Sequence, residues 1–133
     1  MGYFRKDPNS SIINNLVISK TIMVEFNLSE EQKMLQQLAS EFADQEIIPN
    51  AEKWEKESLF PKETIQKARE LGILNCTIPE KYGGLGLSYL DEVIINEELG
   101  RGDPGFATIT GVTMLACHPV LSGGTEEQKE EYL

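Results

Sequence analysis

Cysteine and histidine are nearly absent from this chain. Its 133 residues hold two cysteines, Cys76 and Cys117, and one histidine, His118. A Cys/His zinc centre takes about four closely spaced ligands, and neither a Cys-x-x-Cys pair nor a second histidine exists here. The two thiols read as small buried hydrophobes in a reducing compartment. Basic residues are scarce as well: 12 Lys+Arg stand against 22 Asp+Glu, for a net charge of −10. So acidic a surface repels phosphate backbones and anionic headgroups, which makes nucleic acid and membrane surfaces poor partners. No Ser/His/Asp series for nucleophilic catalysis is present. What remains is ordinary. Apolar residues make up 40% and charged residues 26%, the composition of one soluble globular domain long enough to bury a core without disulfides or metals.

The first residues differ from the rest. Arg5 and Lys6 precede the apolar run Ile12-Ile13-Asn14-Asn15-Leu16-Val17-Ile18, which superficially suggests an export signal. Two asparagines split that run and no small-x-small cleavage site follows. We expect residues 1–22 to be a leader, disordered or not native, and residues 23–133 to form the domain, with Met23 as the functional start. At the other end, Thr125 and Gln128 make a capping box for a helix that has barely two turns before Leu133. It reads either as a short terminal helix that frays or as part of something longer.

Between these ends the pattern is helical. Ser29 and Gln32 form a capping box, with Glu30 and Glu31 in the first turn. Leu35, Leu38, Ala39, Phe42 and Ala43 follow at helical spacing, and Pro49 is expected to end or kink that helix. Residues 51–57 carry on as a mostly solvated piece. Pro61 suits the first turn of the next helix, with Ile65, Ala68 and Leu71 as its buried stripe and Gly72 as its C-cap. Residues 75–88 are a connector. Tyr89–Gly100 is predicted helical with Leu90, Val93, Ile94 and Leu99 inward. Gly100–Pro104 is a turn, and Gly105–Cys117 a further helix that His118-Pro119 ends. No segment alternates with period two for long enough to be a strand, so the fold class is all-α.

From Pro104 to Thr125 there is no Asp, Glu, Lys or Arg. Proline, glycine, serine and threonine interrupt the segment too often for a membrane span, so it is predicted to be an interior helix, buried all round. Its side chains are unusually small: Ala107, Thr108, Gly111, Val112, Thr113, Ala116. Two readings stand side by side. The helix packs closely against its neighbours in the core, or its small side chains leave room for an apolar ligand.

Motifs with chemistry were tested in turn. Gly83-Gly84-Leu85-Gly86 lacks the Gly-Lys-Ser/Thr of a P-loop and the spacing of a dinucleotide fingerprint, so its glycines serve a tight connection. The pairs Glu30/Glu31, Glu97/Glu98, Glu126/Glu127 and Glu130/Glu131 are neighbours on helices and point about 100° apart. They are solvated faces and helix N-termini. No catalytic residue and no metal ligand is assigned.

Three stretches, in order and spacing, resemble the N-terminal helical domain of acyl-CoA dehydrogenases. The first is Phe26-Asn27-Leu28-Ser29-Glu30-Glu31-Gln32 with Glu46-Ile47-Ile48-Pro49. The second is Glu70-Leu71-Gly72-Ile73-Leu74 leading into Ile78-Pro79-Glu80-Lys81-Tyr82-Gly83-Gly84-Leu85-Gly86-Leu87. The third runs from Glu97-Glu98-Leu99-Gly100 to Gly124-Thr125-Glu126-Glu127-Gln128-Lys129 and Tyr132-Leu133. The resemblance covers about residues 24–133.

It implies an FAD-dependent oxidation of an acyl-CoA thioester to its trans-2-enoyl form. A glutamate takes the α proton, hydride passes to the flavin, and an electron-transfer flavoprotein collects the electrons. It also implies a middle β domain, a C-terminal four-helix bundle, a homotetramer, and a cytoplasmic location, or the mitochondrial matrix in a eukaryote. The Thr-Glu-Pro and Gly-Ser-Asp segment, the later flavin-binding segment and the bundle that carries the catalytic glutamate are not in this sequence. The chain alone is therefore expected to be inactive and not to hold FAD tightly. Residue by residue, the resemblance places Ala107, Thr108, Gly111, Val112 and Leu115 on the acyl-chain side of their helix, with Gly111 leaving space where a larger residue would floor the pocket. The alternative is a non-catalytic helical interaction module or the remnant of a split enzyme.

Overall fold

A computed structural model describes residues 27–133. The leader reading falls outside these residues. The elements are α1 (Glu30–Phe42), a π-helical turn (Ala43–Ile47), α2 (Ile48–Glu57), α3 (Lys62–Glu70), a 3-10 turn (Glu80–Tyr82), α4 (Tyr89–Gly102), α5 (Pro104–Gly123) and α6 (Glu126–Tyr132). Among the described residues there is no strand, and the architecture is all-α as the sequence indicates.

Helix starts follow local chemistry. The Ser29 hydroxyl accepts from Gln32 N at 3.1 Å, and the Gln32 side chain accepts from Ser29 N at 3.0 Å. Thr125 and Gln128 repeat the arrangement for α6. A third box, Ser88 with Asp91, starts α4. Asp103 caps α5, its carboxylate accepting from Phe106 N at 2.6 Å. These bonds satisfy amides that have no partner inside the helix.

Pro49 does not end the helical run; α1, the π turn and α2 follow one another without a loop. Proline takes away one N–H and its ring presses on the carbonyl four residues back, here that of Gln45. That carbonyl lies in the π turn, whose widened ladder absorbs the misfit. Asn50 Nδ2 donates to Glu46 O at 2.9 Å and satisfies a neighbouring acceptor. Residues 51–57 are mostly solvated as expected: α2 buries no residue fully, and Trp54 is its contact with the core.

Three expectations about buried faces are corrected. In α3, Pro61 sits at the N-cap position rather than inside the first turn. The buried side chains are Thr64 and Ala68, while Leu71 is 48% exposed and Ile65 half-buried. Gly72 closes the helix at φ +74, as expected. In α4, Leu90 and Val93 face outward at 56% and 60% exposure; Ile94, Ile95 and Leu99 are the buried set. The helix is apolar on two sides, and packing against α1 and α5 selected one. It also runs on to Gly102. A Cβ there would sit 3.0–3.1 Å from Ile47 and Ala43, so the glycine lets α4 close on the π turn.

Helix α5 departs from the expected pattern as well. It continues through His118 and Pro119 to Gly123. Pro119 and Leu115, whose carbonyl loses its helical donor, both lie on the exposed side where water can substitute. The helix is not buried all round. Phe106, Thr110, Met114 and Cys117 form one buried stripe, while Val112 and Leu115 stand outward at 56% and 70% exposure. It is the one described helix long and apolar enough, by length and composition, to cross a membrane.

The main core joins Ala39, Phe42, Ala43, Ile47, Ala68, Ile73, Cys76, Ile95, Leu99 and Phe106. Phe106 is 1% exposed and stacks on Trp54 at 5.8 Å between centroids. Ile78, Met114 and Cys117 make a second, smaller cluster beside it. Both thiols are buried, and burial pushes Cys76 up to about 11 and raises Cys117. They are protonated at neutral pH and behave as the hydrophobes the sequence suggests.

Candidate functional site

The residues expected to line a ligand all lie on α5, which is held from below by its buried stripe. Of the five residues expected on its ligand side, Thr108, Val112 and Leu115 are exposed. Ala107 and Gly111 are half-buried on the flank toward α4. Ala107 packs against the core, and a Cβ on Gly100 would meet it at 3.8 Å, ordinary contact. The structure thus brings the five onto one adjoining arc of helix, with Ala107 shared between that arc and the core.

The chemistry of this arc is apolar. Thr108 donates its hydroxyl to Pro104 O at 2.8 Å, so the polar end is used locally. Thr110, on the buried side, likewise donates to Phe106 O and Ala107 O, both at 3.1 Å. A Cβ built on Gly111 meets nothing within 4 Å. The position therefore opens onto free space. Tyr89, Leu90 and Val93 of α4 are also exposed apolar residues, and Tyr89 packs edge-on against the His118 ring at 5.3 Å. His118 sits inside α5, not at its end, and its Nε2 is buried without a partner.

Sequence reasoning missed a small recess behind Gly111. It lies between residues 73–76, Glu92 and Asn96 of α4, and Thr110, Gly111 and Met114 of α5. About 10 Å³ is open to the centre of a water molecule, room for one. Asn75 lines it at φ +57, and its Oδ1 is buried with no hydrogen-bond partner. Nothing in the one-dimensional pattern marks Asn75, because the facing walls of the recess lie on helices further along the chain. Larger open clefts, about 390 and 460 Å³, lie along α1–α3 and carry mixed charges such as Glu46 and Lys67. No convergent set of groups occupies them.

Among the described residues acid–base and metal chemistry find no centre. The carboxylates serve caps and surface pairs. Lys33 pairs with Glu30 at 2.7 Å, and Arg101 with Glu98 at 2.7 Å and Asp44 at 2.9 Å. Lys81 and Tyr82 both donate to Glu126 and hold its carboxyl below the usual range. Among the described residues no group of three or more His, Cys, Asp or Glu could hold a metal ion.

The glycine loop is not a phosphate cradle either. Gly83 N donates to Glu80 O, Gly84 N to Pro79 O and Gly86 N to Ile78 O. Its amides are used on its own carbonyls. A flavin dinucleotide needs donors for its diphosphate, and these three amides are not free to supply them.

Comparison with known sequences decides the family. The family described as acyl-CoA dehydrogenase, N-terminal domain, matches residues 29–133. The chain belongs to the acyl-CoA dehydrogenase family. A relative named probable medium-chain specific acyl-CoA dehydrogenase 2, mitochondrial, from Caenorhabditis briggsae is 39% identical over 124 residues, which are 93% of this chain and 30% of that protein. The solved glutaryl-coenzyme A dehydrogenase glutaryl-CoA complex superposes with a TM-score of 0.78 at 35% identity, over 81% of this chain and 28% of that one. The acyl-CoA dehydrogenase complexed with FAD from Bacillus anthracis gives a TM-score of 0.70 at 32% identity, over 80% of this chain and 18% of that one. The chain spans less than a third of the length of these acyl-CoA dehydrogenases. What it shares with them is the helical N-terminal domain.

Proposed function

We propose that this chain forms the helical wall of the acyl pocket in an FAD-dependent acyl-CoA dehydrogenase that oxidises an acyl-CoA thioester to the trans-2-enoyl-CoA. The wall is the outer arc of α5, with Ala107, Thr108, Gly111, Val112 and Leu115 toward the acyl chain. One observation carries this reading. In a segment that matches the family, the one long charge-free helix turns an apolar arc outward instead of burying it. An exposed apolar face of this kind needs a cover, and an acyl chain is chemically matched to it.

The residues' part in the reaction is binding and exclusion of water. Val112 and Leu115 offer apolar contact. Thr108 presents its methyl because its hydroxyl is bound to Pro104 O. Gly111 leaves depth. When bound, FAD supplies hydride acceptance; the described residues hold neither it nor the base that removes the α proton. The 133 residues alone are accordingly inactive and do not bind FAD tightly. An electron-transfer flavoprotein as acceptor, a homotetramer, and a location in the cytoplasm or mitochondrial matrix belong to the same proposal and rest on family membership. Within it α5 is a pocket wall and not a membrane span.

The test is a transplant of residues 29–133 into a family member of full length. The hybrid is expected to stay yellow and to dehydrogenate acyl-CoA. Val112→Asp in the hybrid is expected to raise KM at least tenfold with flavin content unchanged, since a charge in an apolar pocket is costly. An unchanged KM overturns the placement of α5. Colourless, stably folded hybrid with wild-type acyl-CoA binding points instead to the interaction-module reading.

A further inference from the structure

We infer that the distal end of the ligand on α5 must be neutral: the recess behind Gly111 accepts a single O–H donor and refuses a carboxylate. This rests on the reading of α5 as the ligand face and adds the class of ligand it takes.

Asn75 Oδ1 is buried without a partner, and buried polar groups without a partner are rare enough to need a reason. It lines a recess with room for one small oxygen. Gly111 lines the same recess. It has no side chain, and the space where one would start is free of neighbours within 4 Å. An unbranched chain lying along Val112 and Leu115 can thus deliver its last atom to Asn75. In the absence of such a chain, a water molecule is the donor.

The sign of charge comes from the lining. Glu92 and Asn96 face the recess from α4, and Thr110 and Met114 from α5. Thr110 is occupied as a donor to Phe106 O and Ala107 O. No Lys, Arg or His lines the recess, and none lies anywhere on α5 except His118, two turns away beside Tyr89. A carboxylate brought there would meet an acceptor in Asn75 Oδ1 and a like charge in Glu92, and the neutral amide of Asn96 is a weaker offset to its desolvation than the cation a buried carboxylate needs. A hydroxyl meets a ready acceptor. The glutaryl-CoA complex that superposes on this chain holds a carboxylate-ended acyl group by its name; this chain's recess is built for the opposite end group.

The test uses the full 133-residue chain, labelled with nitrogen-15 and with carbon-13 methyls, and two probes of equal length, 1-hexanol and hexanoate. Hexanol is expected to shift the Gly111 amide, the Asn75 side-chain amide and the Val112 and Leu115 methyls. Hexanoate is expected to bind at least tenfold more weakly. Asn75→Gly keeps the positive φ and removes the acceptor. It is expected to weaken hexanol roughly 3- to 10-fold, the worth of one net hydrogen bond, while the methyl shifts persist.

Equal or tighter hexanoate binding overturns the inference, as does full hexanol affinity in Asn75→Gly. Methyl shifts on Val112 and Leu115 with none at Gly111 or Asn75 overturn the recess and leave the α5 reading standing. Hexanol with no effect anywhere on α5 overturns the inference too, and the hybrid enzyme above then decides the α5 reading separately. A water found on Asn75 Oδ1 in the free chain and displaced by hexanol distinguishes the two sources of the donor.

Discussion

Gln32 Nε2 donates to Asp91 Oδ1 at 3.0 Å, so the capping residues of α1 and α4 are hydrogen-bonded to each other. Each completes the box of its own helix, Gln32 with Ser29 and Asp91 with Ser88. Two local motifs 59 positions apart thereby fix the relative register of two packed helices.

A pH dependence follows from that pair. Ser88 first, and then Gln32, donate to the Asp91 carboxylate and hold it below its ordinary value near 3.8. A lowered folded-state value means the stabilisation is present above about pH 4 and fades as pH falls through the folded value. Asp91→Asn is expected to cost stability at pH 6 and progressively less toward pH 3. Urea denaturation across that range checks it; parallel curves for the two proteins would sink the argument.

Two glycines are expected to respond oppositely to alanine. At Gly84 a Cβ would lie 2.0 Å from Ile78 O, a backbone atom that cannot step aside. Gly84→Ala should cost well over about 2 kcal/mol through overpacking. At Gly111 the Cβ meets nothing and the residue is mid-helix. Gly111→Ala should therefore stabilise by about 0.5–1 kcal/mol. Thermal melts of both variants decide, and loss of stability in Gly111→Ala would show that the glycine has a packing role.

Phe106 anchors α5 in the core, 6.3 Å from Phe42 and 5.8 Å from Trp54 between ring centroids. Phe106→Ala is expected to cost about 3–5 kcal/mol and to shift the emission of Trp54, the only tryptophan. Phe60→Ala is the control. That ring is 65% exposed, and its loss should stay within about 0.5 kcal/mol.

Gly111→Phe tests chain length. In the hybrid enzyme the ring would take up the open space that Gly111 leaves on the acyl side, and the kcat/KM optimum should move to shorter acyl chains. The effect is expected at about tenfold or more for the longest chain, because a filled pocket excludes methylenes worth roughly 0.8 kcal/mol each. An unchanged chain-length profile would place the acyl end elsewhere.

Much of this was legible in the chain itself. Ser29 with Gln32, Thr125 with Gln128, and Gly72 after α3 are boundaries set by residues within four positions of one another. Such motifs satisfy helix-end amides and carbonyls whatever the rest of the fold does. The family is legible for a related reason: its pattern is made of these caps and turns in fixed order. The small, uncharged character of α5 was visible too, with Gly111 as its open position.

The tertiary structure decided the rest. Helix α4 carries apolar residues on two sides, and only its neighbours chose Ile95 over Leu90 and Val93. Pro49 and Pro119 are breakers by local rule. They sit inside helical runs here because a π turn takes up the first misfit and an exposed face hydrates the second. Helix α5 looked buried all round from its lack of charge, but burial is a property of what packs against a surface, and on the outer arc nothing in these residues does. The recess at Asn75 is the extreme case. Its walls come from three separate stretches of chain, and an acceptor without a partner exists only once all three are in place.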